Sequence, residues 1–240
     1  MIKVEDLTYN DLAYNELNGV SFALDKGKTG VAIGPNGCGK SLLLKAIAEP
    51  HLDYSGRVIV SNFKAKSEPE KAKAVVGYLP KQVHPDGFLT AFELLETIAA
   101  FYQISPKERQ EKILKLANEL YCGDELYTLL ERQGSALHQR VGIIASLIHQ
   151  PSVLLWDEPL TNLDYRCQQA VLGLLKSAVA HGATVLIATN DLRLAEELAD
   201  KIIVLRDGQI VAEGTMKQIH NQVRSPKADL ESVYEHLFGG

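Results

Sequence analysis

The chain has 240 residues, 46% hydrophobic, 23% charged and 7% aromatic, which suits one core with an insertion and excludes disordered, collagen-like and disulfide-framework chains. Lys and Arg total 25 against 30 Asp and Glu, a net charge of −5 that excludes a general nucleic-acid binder. Cys38, Cys122 and Cys167 are scattered and odd in number, and no window approaches the roughly 20 apolar residues of a membrane span. The start, Met1 to Asp6, lacks a basic region followed by an apolar one, so no signal peptide is expected. The expectation is a soluble, cytoplasmic protein.

The first thirty residues read as short strands and turns, with Val20 to Leu24 alternating in period two before the turn Asp25-Lys26-Gly27-Lys28. Val31-Ala32-Ile33 is a short apolar strand, and Leu42 to Ile47 reads as a helix. Strands follow at Arg57 to Val60 and Val75 to Leu79. From about Thr90 to His149 the pattern is helical, with Phe92, Leu95, Ile98 and Ala99, then Ile113, Leu116, Ala117 and Leu120, at helical spacing. Val153 to Trp156, Thr184 to Ala188 and Ile202 to Leu205 read as strands, with helices at Gln168–Val179 and Leu192–Ala199 between them. Alternating strands and helices predict an α/β fold with a parallel sheet covered on both faces.

Between the strand at Val31 and the helix at Leu42 lies Gly34-Pro35-Asn36-Gly37-Cys38-Gly39-Lys40-Ser41, which fits the phosphate-loop pattern in its required strand–loop–helix context. Its glycines let backbone N–H groups converge on phosphate oxygens at a helix N-terminus. Lys40 is placed to neutralise those oxygens and Ser41 to complete a Mg²⁺ shell. Cys38 reads as a small filler. The strand Leu154-Leu155-Trp156 ends in Asp157-Glu158, placing Asp157 to hold the metal and Glu158 to polarise an attacking water. Together these motifs predict a Mg²⁺-dependent nucleoside-triphosphate-binding protein.

Over nearly its whole length the sequence resembles the ATP-binding-cassette (ABC) ATPases. Leu17-Asn18-Gly19-Val20-Ser21-Phe22 is similar to the family's N-terminal strand motif, and Gly34-Pro35-Asn36-Gly37 to its usual phosphate loop. Asp157 to Asp164 resembles its second carboxylate motif running into the D-loop, and Arg206 to Gly214 its late hairpin. Phe88 to Leu95, Phe101-Tyr102 and the ending Leu230 to Leu237 resemble the exporter-type branch.

The resemblance implies a P-loop NTPase with a RecA-like core, an N-terminal antiparallel β-subdomain, a helical subdomain at about 83–150 and a C-terminal helical extension at about 215–240. It implies ATP and Mg²⁺ as cofactors, with Leu42 joining the loop residues at the nucleotide. Partners would be a second ABC ATPase and a membrane permease, holding the chain peripherally on the inner face of the cell membrane. In the family, each ATP lies between one chain's phosphate loop and the other's signature motif.

Four departures stand out. Aligned on Gln139-Arg140-Val141, the family's L-S-G-G-Q signature is Gln133-Gly134-Ser135-Ala136-Leu137, lacking the serine and both glycines. Ser135 reads either as a phosphate contact or as the cap of a helix. The family's switch histidine is replaced in Thr189-Asn190-Asp191 by an amide that can donate a hydrogen bond but carries no proton. After Pro80, Lys81 stands where the family often has Gln, so Gln82 is the candidate for Mg²⁺ and water contact or else a plain loop residue. The aromatic that stacks on adenine is assigned to Tyr14 or Tyr9, each equally suited to packing. These departures predict slow or partner-dependent hydrolysis driving export, with a leaning towards a heterodimer. The alternative is a catalytically weak nucleotide-binding switch or scaffold beside an active ATPase. Action on nucleic acid is not expected.

Overall fold

The computed structural model describes residues 1–11, 15–85, 87–223 and 229–239. Ten strands occur among them: β1 (Ile2–Asp11), β2 (Asn15–Leu24), β3 (Thr29–Ile33), β4 (Ser55–Val60), β5 (Phe63–Lys64), β6 (Val76–Leu79), β7 (Val153–Asp157), β8 (Thr184–Ala188), β9 (Lys201–Arg206) and β10 (Gln209–Gly214). The helices are α1 (Lys40–Ala48), α2 (Pro69–Ala74), α3 (Ala91–Phe101), α4 (Pro106–Glu119), α5 (Ser135–Leu147), α6 (Tyr165–Ala180), α7 (Leu192–Leu198), α8 (Met216–Val223) and α9 (Leu230–Phe238).

Two sheets form. One has the order β2-β1-β4-β5 and is antiparallel throughout. The other has the order β10-β9-β3-β8-β7-β6 and is parallel except for its β9–β10 edge. Every residue of β3, β7 and β8 is buried, which is why these segments read as continuous apolar runs rather than as alternating ones.

Period-two geometry divides the parallel sheet between two cores. Val31, Ile33, Leu154, Trp156, Val185 and Ile187 face the core shared with α3 to α9. Ala32, Val153, Leu155, Leu186 and Ala188 face the core shared with α1 and the antiparallel sheet. The parallel sheet is therefore the middle layer, and the C-terminal ends of β3, β7 and β8 carry the chemistry-bearing loops.

Helices α3 to α5 form a block between β6 and β7. Helix α3 starts with a capping box: the Thr90 side chain accepts from Glu93 N–H, and the Glu93 carboxylate accepts from Thr90 N–H. Pro106 opens α4, where its missing N–H costs nothing. Among the described residues, no helix is long and apolar enough to cross a membrane.

Two expectations need correction. The strands at the start are not short: β1 and β2 each run ten residues, with bulges at the register shifts between Val4 and Leu7 and between Leu7 and Tyr9 that break the simple alternation. Ser135 does not cap α5. Gly134 occupies the N-cap and makes no side-chain bond, while Ser135 is the first helical residue. Tyr9 packs half-buried against the core under the antiparallel sheet; Tyr14 lies outside the described residues.

Candidate nucleotide site

The loop from Gly34 to Gly39 leaves β3 and enters α1. Gly34 has φ 151, and a Cβ there would lie 2.1 Å from Leu205 O and 2.7 Å from Cys38 Sγ, so only glycine fits. Gly39, at the N-cap of α1 with φ 104, turns the chain into the helix. Lys40, buried at the start of α1, donates from Nζ to Gly34 O at 2.7 Å and Pro35 O at 3.0 Å. Those bonds, with a longer contact from Nζ to Cys38 Sγ, fold the ammonium back over the loop. Cys38 is buried with its Sγ 3.9 Å from Lys40 Nζ, and burial raises its thiol pKa, leaving a protonated filler.

The carboxylates arrive from β7. Asp157 is buried, and burial raises its pKa; the Ser41 hydroxyl bonded to it and the charges of Lys81 and Lys40 oppose that rise. Its Oδ2 is buried with no hydrogen-bond partner among the described residues. A buried carboxylate oxygen left without a donor, beside a serine hydroxyl at a phosphate loop, suits a hard divalent cation. Mg²⁺ therefore fits Ser41 and Asp157.

Glu158 follows with φ 48, a left-handed backbone at the strand's end. Its Oε2 accepts from the Thr189 hydroxyl at 3.0 Å and its Oε1 from Asn190 N–H at 3.0 Å. The carboxylate is thus held by the loop after β8, a role for Thr189 that sequence reasoning missed. Asn190 Nδ2 in turn donates to Asn36 Oδ1 at 2.8 Å, joining residues 154 positions apart. Asp191 caps α7 by accepting from Arg193 N–H and Leu194 N–H.

One pocket of about 580 Å³ is lined by Asn36, Gly37, Gly39, Lys40, Ser41 and Leu42 together with Gln82, Asp157 and Glu158. Lys81, Lys45 and His84 line it too. The fold thus brings the predicted loop and acidic residues into one cavity. Gln82 is exposed, with His84 Nε2 3.2 Å from its Oε1. Of the predicted site residues that the structure describes, Gly34, Pro35, Cys38 and Asn190 are not among its lining.

Residues 17–161 match the ABC transporter domain family. The chain belongs to the ABC transporter family. It is 30% identical over 225 residues to the uncharacterized ABC transporter ATP-binding protein sll0415 of Synechocystis, covering 93% of this chain and 63% of that protein. To the ABC-type transporter ATP-binding protein EcsA of Bacillus subtilis it is 27% identical, covering 99% of this chain and 96% of the relative. A solved ATP-binding subunit of an ABC transporter superposes with a TM-score of 0.90 at 28% identity, covering 99% of both chains. The ATP-binding cassette MJ0796, solved as a dimer in a post-hydrolysis state with ADP and Pi, superposes with a TM-score of 0.80 at 25% identity, covering 90% of this chain and 98% of the other.

At the start of α5, Gly134 and Ser135 are exposed and Leu137 is buried. Gly134 has open space around it. Behind it, the buried Gln139 side chain donates to Pro159 O at 3.2 Å, tying α5 to the loop that carries Glu158. Arg140 forms an ion pair with Glu125 at 3.0 Å and donates to Tyr121 O at 2.9 Å. Asp164 caps α6 through Cys167 N–H at 2.8 Å. A larger groove of about 970 Å³ lies between α2, α3 and α5, is lined by Phe101, Tyr102 and His149, and shares Tyr78 with the nucleotide cavity.

Proposed function

We propose that this ABC ATP-binding subunit hydrolyses Mg-ATP slowly, or only opposite a second cassette, to drive export through a separate membrane permease. The observation that carries this reading is the single cavity holding Lys40, Ser41, Asp157 and Glu158. Gly34 to Leu42 cradle the phosphates through backbone N–H groups and the Lys40 ammonium. Ser41 and Asp157, with Gln82 nearby, hold the metal, which when bound supplies Lewis-acid neutralisation of phosphate charge. Glu158, oriented by Thr189 and Asn190, accepts a proton from the attacking water. Asn190 offers an uncharged donor to the γ-phosphate.

Export is supported by relatives bearing the names daunorubicin resistance ATP-binding protein DrrA3, of Streptomyces coeruleorubidus, and macrolide export protein MacB, of Vibrio parahaemolyticus. The chain spans 68% and 35% of those proteins. The helical subdomain expected at about 83–150, with Phe101 exposed at the larger groove, would meet the permease and hold the subunit at the inner membrane face, and the C-terminal helical extension expected at about 215–240 would follow it.

The second reading, a weak switch or scaffold subunit, is favoured by Gly134 and Asn190 at the two positions that should touch the γ-phosphate. A heterodimer reconciles both, by placing a partner's intact signature against this chain's phosphate loop. The test is isolation of the tagged chain from its native membranes, followed by mass spectrometry and an ATPase assay. The proposal expects an integral membrane protein, a second cassette and Mg-ATP turnover in one complex. A free chain with neither permease nor turnover would contradict it.

A further inference from the structure

Just after β6, where the family often has a neutral amide, this chain has Lys81. Parallel pairing sets Leu79 of β6 opposite Trp156 of β7, so the chain running on through Pro80 leaves the sheet beside Asp157 and Glu158. Lys81 lines the nucleotide cavity together with both carboxylates, and its charge acts on Asp157. Its side chain is exposed and makes no hydrogen bond or ion pair among the described residues. The next residue, Gln82, has its Oε1 3.2 Å from His84 Nε2.

Three ammonium groups line this cavity, on Lys40, Lys45 and Lys81, against the carboxylates of Asp157 and Glu158. Lys40 is committed to the loop through Gly34 O at 2.7 Å and Pro35 O at 3.0 Å. Lys45 stands one helical turn beyond Ser41 on α1. With a neutral residue at position 81, lysine and carboxylate charges would balance. With lysine there, the cavity is positive before any metal enters. A triphosphate is a polyanion, so its attraction to such a cavity does not wait for a divalent cation. The same ammonium sets a like charge near the place that Ser41 and Asp157 offer Mg²⁺, which weakens the metal's own attraction.

We propose that Lys81 is a specificity-determining residue that lets this site take the nucleoside triphosphate free of metal, supplying part of the charge that Mg²⁺ would bring. The proposal rests on the nucleotide-binding reading of the cavity. Capture of the nucleotide is thereby separated from its hydrolysis, for which Ser41 and Asp157 still place the metal.

The experiment is isothermal titration of the full chain with AMP-PNP, once in EDTA and once in Mg²⁺, at pH 8, where ordinary imidazoles are neutral. The proteins are the unmodified chain, Lys81→Gln, Lys81→Arg and Lys45→Gln. The unmodified chain should bind metal-free AMP-PNP less than about tenfold more weakly than the Mg²⁺ complex. Losing one charge-assisted contact predicts about tenfold weaker metal-free binding for Lys81→Gln. Its binding of the Mg²⁺ complex should change less than about threefold, because relief of repulsion on the metal offsets the lost contact. Lys81→Arg keeps the charge and should stay within about threefold of the unmodified chain in both conditions. Binding by the unmodified chain only in Mg²⁺, or equal losses in the two conditions for Lys81→Gln, would overturn the proposal. So would unchanged metal-free binding by Lys81→Gln, or a loss in Lys81→Arg as large as in Lys81→Gln. A metal-selective loss in Lys45→Gln as large as that in Lys81→Gln would make the effect one of total charge and overturn the assignment to Lys81. Failure of the unmodified chain to bind AMP-PNP in either condition would overturn the nucleotide-binding reading itself, and the role of Lys81 with it.

Discussion

Replacing Asn190 by histidine should speed hydrolysis. The substitution leaves Glu158 where it is, because the carboxylate is held by the backbone N–H of residue 190 and by the Thr189 hydroxyl, both at 3.0 Å. What changes is the donor at the γ-phosphate. A well-aimed donor to developing charge is worth about 10²–10³ in rate. Asn190 already supplies part of that, but one of its two N–H groups is spent on Asn36. An imidazole there replaces a half-committed amide, so the expected gain in kcat is about tenfold. It also adds a group that titrates near about pH 6.5, giving the variant's rate a pH step that the unmodified protein lacks at this position. The assay is steady-state Mg-ATP turnover from pH 6 to 9, on the chain or its membrane complex, at saturating nucleotide. A folded, nucleotide-binding Asn190→His protein with unchanged turnover and no new pH step would show that residue 190 does not limit the rate.

Lys40→Ala removes a buried ammonium from the phosphate loop and should weaken Mg-ATP binding about 10–100-fold, as calorimetry would read it. Gly77→Ala puts a Cβ 2.0 Å from Ser146 O and 2.8 Å from Pro151 Cγ, so β6 and α5 must separate. The cost should be about 1–3 kcal/mol, visible as a Tm several degrees lower; an unchanged melting curve would refute the packing. His149 stacks on Tyr102 at 3.8 Å, its Nε2 lies 3.0 Å from Val76 O, and its buried Nδ1 has no partner among the described residues, so burial lowers its pKa. Above its ordinary value of about 6.5 both folded and unfolded states are neutral; below it the unfolded chain takes up a proton that the folded one resists. Stability should therefore fall from pH 7 towards the lowered folded value and then level off, and urea titrations of His149→Phe should lose that component.

The parallel sheet and the cavity were legible because their signals are local. Continuous apolar runs such as Val153 to Trp156 mark strands buried on both faces, and the glycine–lysine–serine spacing demands one backbone shape. Asp157 and Glu158 could be placed because a strand end fixes which side chains reach its mouth. Other features were hidden for physical reasons. The bulges in β1 and β2 break the period-two pattern, and α2 is only six residues long, too short for a helical period to register. Whether Ser135 or Gly134 caps α5 depends on one backbone turn. The bonds from Thr189 to Glu158 and from Asn190 to Asn36 join residues far apart in the chain, and only the packing of β3, β7 and β8 side by side brings them together.

The most direct test of the account is Mg-ATP hydrolysis with Glu158→Gln measured beside the unmodified protein, with nucleotide affinity measured on both. Loss of a general base predicts a fall of about 10²–10⁴ in kcat with binding preserved. Equal turnover in the two proteins, or no turnover by the unmodified protein even in its complex, would contradict the assignment of Glu158 as the base of a working ATPase.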